Sequence, residues 1–346
     1  SRRLAGPAIL RDGWRGFGKG RRIVSYTSWQ DFVWRYADTF EYMAHTRAGL
    51  PPLMIVVAVN GGIQGKELHD RIPETADEIA DETYAAYKAG ASVVHVHARD
   101  PRNPSQGARN TESWYEVNRK IRERCPDIII NNTTGGDLEM SMEERLSCLD
   151  AKPEIASLNL TPDMSRFTIA ERKAPLPFPR PAREIDTCLA FTYGLIERFA
   201  RIMNERQVKP EMETYHSGGG YVIRHLIEAG LVKPPYLIQT VMGVQSASHP
   251  TPWNVLNLLQ ELPRDMVWLS SGIGAFQLPL ATFATLMGGH VRVGLEDNLY
   301  YARGRKFVSN EEAVTRAVRI AGDLNRPVAT PKQARLMLGL GEPTTY

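Results

Sequence analysis

The chain has 346 residues with 42 Lys and Arg against 39 Asp and Glu, and the resulting formal charge of +3 is too small to argue for a nucleic-acid partner. Its 42% hydrophobic and 23% charged residues are those of a soluble globular protein, and no apolar run approaches the roughly eighteen residues of a membrane span. The length suits one large core, in the range of a single α/β barrel with extensions.

Residues 1 to 25 are rich in Gly and Arg and read as an irregular arm. They lack the apolar region of a secretory signal. From Ser28, the residues Trp29, Phe32, Val33, Tyr36, Phe40 and Met43 recur at three- and four-residue intervals, which predicts one helix face packed under the main domain or against another subunit. Residues 1–50 are therefore read as an N-terminal arm with an amphipathic helix, and 51–346 as the main domain, with a helix at its C-terminal end. Cys125, Cys148 and Cys188 are odd in number and widely spaced, which fits a reducing, cytoplasmic compartment.

After Pro51-Pro52 an alternation begins. Leu53 to Val59 is a continuous apolar run, followed by a Gly-Gly loop and a helix from Thr75 to Lys88 that Gly90 closes. Ser92 to Ala98 is the second strand, Asp127 to Asn132 the third and Glu154 to Leu158 the fourth, with helices at Thr111 to Arg124 and Ser141 to Leu149 between them. A long loop with Pro175, Pro177, Pro179 and Pro181 precedes a helix predicted over Glu184 to Arg206. Glu211 to Tyr215, Tyr236 to Met242, Met266 to Ser270 and His290 to Leu295 complete the strands. Helices near Tyr221 to Ala229, Trp253 to Leu262 and Phe276 to Met287 intervene, and Asn310 to Leu324 and Pro331 to Leu338 follow. Eight strands alternating with helices predict a (β/α)8 TIM barrel with an N-terminal helical extension. A doubly wound sheet is the weaker reading, because Asn60-Gly61-Gly62-Ile63-Gln64-Gly65-Lys66 lacks Gly-x-Gly-x-x-Gly spacing.

A barrel's chemistry sits at the C-terminal ends of its strands. Strand two ends in His95 and His97, which period two places on one face. On strand eight the same parity aligns His290, Arg292, Gly294 and Glu296, with the apolar Val291, Val293 and Leu295 on the other face. Strands two and eight flank strand one in a closed barrel, about two spacings of ~4.8 Å apart, so Glu296 reaches a metal held by His95 and His97. Two imidazoles and a carboxylate with an open position form a catalytic divalent site, and zinc fits it best. His290 lies deeper and reads as structural. Asp297 beside Arg292 reads as an ionised, oriented base or as a structural ion pair. Asn131-Asn132-Thr133-Thr134-Gly135-Gly136 offers hydroxyls and a Gly-rich turn whose backbone N–H groups could meet a carboxylate or phosphate. Strand five brings Glu211 and Glu213 to one parity, followed by His216.

With these residues assembled, the chain resembles the β-keto acid cleavage enzyme family. The resemblance rests on His95-Val96-His97-Ala98-Arg99-Asp100, Thr133-Thr134-Gly135-Gly136, Lys209-Pro210-Glu211-Met212-Glu213 and Gly289 to Asn298, and extends from about Leu53 to Leu340. It implies a zinc-bearing barrel that condenses a β-keto acid with acetyl-CoA as co-substrate, giving acetoacetate and a new acyl-CoA, in a homo-oligomer (dimer or tetramer). It also implies His95, His97 and Glu296 as zinc ligands, Asp297 steadied by Arg292 as the base that forms the acetyl-CoA carbanion, and Thr133 in place of the family's usual Ser. Thr134, Gly135, Gly136, Gln64, Lys66 and Glu213 are the expected substrate contacts. Lys66 either pairs with the keto acid's carboxylate or with Glu67. Ile63 and Gln64 stand where the family can place an acidic residue, which argues against an amino-substituted substrate. A metal-dependent amidohydrolase, with His216, His249 and Asp297 as further ligands, is the rival reading, and a non-catalytic metabolite-binding barrel is a third.

Overall fold

The apolar, β-branched runs form eight parallel strands: β1 (Ile55–Ala58), β2 (Val93–Val96), β3 (Ile129–Asn132), β4 (Ile155–Asn159), β5 (Lys209–Thr214), β6 (Tyr236–Met242), β7 (Met266–Gly272) and β8 (His290–Val293). They close into a barrel in the order β1-β8-β7-β6-β5-β4-β3-β2 in this computed structural model, which describes residues 25–137 and 139–346. The arm expected over residues 1 to 25 lies, up to residue 24, outside the described residues. No described helix is long and apolar enough to cross a membrane.

Parity decides what each strand shows to the interior. Ile55, Val57, Val94 and Val96 pack outward against the helices, while Val56, Val93, Ile129, Ile155 and Leu237 fill the lower barrel together with Phe32 and the helix Pro331–Leu338. Closing the bottom with side chains leaves the upper interior for polar groups. His290 belongs to the lower level, where its Nδ1 accepts from Met54 N at 3.0 Å, so its expected structural role holds. The crossover helices start where the sequence places caps. Thr75 and Glu78 form a capping box for Ala76–Ala89, and Gly90 takes φ +123° just past its end.

Two expectations are corrected. The aromatic stripe from Ser28 is not one amphipathic helix. A single 3-10 turn, Trp29–Phe32, buries Phe32 and then breaks at an extended Val33, and Asp38 caps a separate helix, Thr39–Ala48, in which no residue is buried. Tyr26 stacks on Phe32 with ring centroids 4.3 Å apart, so the first part of the stripe closes the barrel floor while Phe40 faces solvent.

The second correction lies between β4 and β5. The helix predicted over Glu184 to Arg206 starts only at Tyr193, because Arg183–Leu189 pairs antiparallel with Asp163–Ile169. In this hairpin Asp163, Ser165, Phe167, Ile185, Thr187 and Leu189 are partly buried while the residues between them are exposed, which is a strand's alternation. Gln245, in the loop after β6, clamps Arg166 by accepting from its N–H at 2.7 Å and donating to its carbonyl at 2.8 Å. The Pro-rich tip is fixed differently. The fully buried Arg172 donates to both oxygens of Glu74, at 2.7 and 2.8 Å, and to Glu67 at 2.7 Å, and Arg180 donates to the other Glu67 oxygen at 2.6 Å. Four charges matched in this way tie the hairpin to the loop after β1, across the upper mouth of the barrel.

Candidate active site and metal centre

Strand pairing brings the site together. Ala58 of β1 pairs with His95 on one side, and Val57 pairs with Val293 on the other, so the ends of β2 and β8 lie on either side of β1. His95 Nε2 and His97 Nε2 lie 3.6 and 3.3 Å from Glu296 Oε1. Among the described residues, His95, His97 and Glu296 form the one group of three side chains able to hold a metal ion, with their ligand atoms within 4.8 Å of one another.

The loop after β1 and its neighbours hold this cluster through backbone contacts. Asn60 grips His97, accepting from its N–H at 3.1 Å and donating to its carbonyl at 2.7 Å. Glu296 N donates to Ala58 O at 3.2 Å, and Gln64 Nε2 donates to the carbonyls of Leu295 and Glu296 at 3.0 and 2.8 Å. Gly294 must be glycine: at φ +134° a Cβ would come within 2.2 Å of Ala58 O.

Electrostatics favours a cation at the cluster. Burial, reinforced by Arg292, pushes the His95 imidazole well below its ordinary pKa and keeps it neutral. Burial alone would raise Glu296, but the Arg292 guanidinium beside it outweighs burial and holds the carboxylate well below its usual range. His95 Nδ1 and Glu296 Oε2 are buried without a hydrogen-bond partner. A neutral imidazole and an ionised carboxylate with unspent oxygen capacity fit a divalent ion.

Asp297 lies beside the cluster and is 4% exposed. Arg292 grips it in a bidentate contact, Nε to Oδ2 at 2.9 Å and Nη2 to Oδ1 at 2.8 Å, and also donates to Glu296 Oε1 at 2.5 Å. Burial raises the Asp297 carboxyl above its ordinary pKa, against the pull of Arg292, and so gives it more affinity for a proton than a surface aspartate has.

A cavity of about 500 Å³ opens over these groups. Its lining includes His95, His97, Thr133, Gly135, Gly136, Glu213, Arg292, Glu296 and Asp297. Thr133 Oγ1 accepts from Gly135 N at 2.9 Å.

A family model for beta-keto acid cleavage enzymes matches residues 52–340. The chain belongs to that family. The 3-keto-5-aminohexanoate cleavage enzyme of Fusobacterium nucleatum is 36% identical over 290 residues, which cover 83% of this chain and 98% of that one. The 3,5-dioxohexanoate:acetyl-CoA acetone transferase of Paraburkholderia graminis is 30% identical over 298 residues, covering 83% and 96%. Among solved structures, the binary complex of ObcA with oxaloacetate superposes with a TM-score of 0.62 at 18% identity, over 78% of this chain and 68% of that one, which shows the shared fold.

Within this family framework, three expected substrate contacts have other engagements. Lys66 is absent from the cavity lining and pairs with Glu78, not with Glu67, whose oxygens go to Arg172 and Arg180. Gln64 reaches the cavity rim, but its amide N–H groups serve the backbone under Glu296. Thr134 faces away from the cavity: its N–H donates to Ser157 Oγ at 3.0 Å and its hydroxyl to Ser157 O at 2.7 Å. The Gly-rich turn therefore spends the N–H groups of Thr134 and Gly135 on Ser157 and Thr133, not on an anion. His216 accepts from Gly218 N, His249 is exposed, and neither joins the metal-ligand group, which removes the ligand set of the amidohydrolase reading. Asn60 and Ser157 escaped the sequence reading because their partners, His97 for one and Thr134 for the other, lie just past the ends of other strands, which residue spacing does not reveal.

Proposed function

We propose that this chain is a zinc-dependent enzyme that transfers the acetyl group of acetyl-CoA to C2 of a β-keto acid, releasing acetoacetate and a new acyl-CoA. The reading is carried by the juxtaposition in one cavity of the His95, His97 and Glu296 cluster with the Asp297–Arg292 pair. Family membership supports the β-keto acid, and the relatives' names support acetyl-CoA.

The roles follow from position. His95, His97 and Glu296 would hold the ion, and two imidazoles with one carboxylate and an open position suit zinc. Zinc bound there supplies Lewis-acid stabilisation, worth several kcal/mol, for negative charge developing on the substrate's keto oxygen. Asp297 takes a proton from C2 of the keto acid, and Arg292 fixes the carboxylate's orientation throughout. C2 then bonds to the acetyl carbonyl carbon and the CoA thiolate leaves. The thiolate attacks C3, the C2–C3 bond breaks, and C2 recovers a proton from Asp297. The products are acetoacetate and the acyl-CoA of the remaining chain. Thr133, on the cavity wall, presents its hydroxyl to a substrate oxygen.

This sequence changes one expectation. A carbanion on acetyl-CoA attacking the ketone would join the acetyl methyl carbon to C3 and release acetate with a 3-oxoacyl-CoA, so the atom balance places the abstracted proton on the keto acid. Elemental analysis of the purified protein is expected to find about one zinc per chain. No divalent metal, or two bridged ions, would contradict the reading.

A further inference from the structure

The cavity extends well beyond the atoms that react, and its outer wall is built from the hairpin that roofs the barrel. From the structure we infer that the keto acid carries an uncharged, apolar tail, seated against Phe167 and Leu189 of the hairpin and Val241 and Val244 at the end of β6. The inference rests on the proposed reaction, which supplies the keto acid itself.

The argument is one of charge left without a partner. A tail ending in carboxylate would need a cation. Among the described residues lining the cavity, Arg292 is the sole Lys or Arg, and Asp297 and Glu296 already occupy its Nε and Nη2. Lys66, the other candidate, is paired with Glu78 outside the cavity. A tail ending in ammonium would need a free carboxylate. Asp163 lines the outer wall with both oxygens accepting from the Ser165 hydroxyl at 3.1 Å and one of them also from Ser246 at 2.6 Å, and Glu213 accepts from Gln239 Nε2 at 2.8 Å and lies 3.8 Å from Arg292 Nη1. Asp137 accepts from Gly107 N at 3.3 Å and has Arg109 at 3.7 Å. A charged tail brought here would lose water and find the polar groups it could meet already hydrogen-bonded or paired, whereas an alkyl tail gains by displacing water from Phe167 and the valines. The hairpin contributes Phe167 and Leu189 on its inward face because side chains alternate along a strand, so this excursion carries specificity as well as cover.

Three acids of equal reactive geometry test it: 3-oxohexanoate, 5-amino-3-oxohexanoate and 3-oxoadipate. Turnover with acetyl-CoA is followed through acetoacetate, and equilibrium binding to the purified enzyme is measured without acetyl-CoA. The uncharged acid is expected to lead both charged ones by about tenfold or more in kcat/KM and in affinity, the scale on which a buried site rejects a poorly matched group. Phe167→Ala is expected to raise KM for 3-oxohexanoate about tenfold, with the loss falling on KM and not on kcat, and Phe167→Leu to recover most of it. A charged acid that binds or reacts as well as 3-oxohexanoate overturns the tail assignment, as does an unchanged KM in Phe167→Ala. Binding in the expected order without acetoacetate supports the tail and overturns the reaction instead, so the two failures are distinguishable.

Discussion

Asp297→Asn is expected to keep the metal and to lose about a thousandfold in kcat, within the range that a positioned general base contributes. Asparagine keeps the shape of the side chain and one carbonyl oxygen for Arg292, so the guanidinium retains part of its bidentate grip. What is lost is the group proposed to accept the C2 proton. The ligand atoms of His95, His97 and Glu296 are untouched by the substitution. Steady-state kinetics and elemental analysis on the same preparation check this. A variant within tenfold of the parent kcat would remove Asp297 from the proposed role.

His97→Ala is expected to act on the other half of the site. Its Nε2 lies 3.3 Å from Glu296 Oε1, and removing it leaves two ligand side chains where three converge. Loss of an outer contact to a metal ligand already costs about ten- to a hundredfold in affinity, so loss of the ligand itself should exceed that. Zinc content should fall by at least about tenfold and turnover with it, while the barrel still folds, because the lower apolar layer from Val56 to Leu237 lies below the site. Full zinc occupancy in this variant would contradict the assignment. Together the two substitutions separate base from ligand: one loses turnover with metal in place, the other loses both.

The legible part of the molecule was periodic. Strand eight shows this and its limit: alternation puts Arg292 on the inner face of β8, and closure of the barrel brings the end of β8 near His95, but the strand stops at Val293 and Glu296 follows in a turn after Gly294 at φ +134°. The strand order was legible, whereas the turn that aims Glu296 was not. The hairpin was less legible. Its alternation runs for seven residues on each side, but the strands are separated by the Pro-rich tip, and the pairing that makes them a sheet joins Asp163 to Leu189 across the intervening chain. The N-terminal stripe failed for the opposite reason, since three- and four-residue spacing continued through a break that Asp38 re-caps.

Charge pairing was the least legible feature. Lys66 lies beside Glu67 in sequence, yet the fold gives it Glu78, because Glu67 is drawn to two arginines more than a hundred residues away. The same loop turns Gln64 from an expected substrate contact into a support for Glu296. The first outcome depends on the hairpin tip descending onto the loop after β1, and the second on that loop folding over the turn after β8, where Arg99 also holds the Gln64 carbonyl; no local pattern announces either.

The most direct test of the proposed reaction follows one carbon atom. Enzyme is supplied with 3-oxohexanoate and acetyl-CoA labelled at the acetyl carbonyl. Transfer of the acetyl group to C2 predicts that the label appears in the keto carbon of acetoacetate, with unlabelled butyryl-CoA formed in equal amount. Label retained in a thioester product, or released as acetate, would contradict the account.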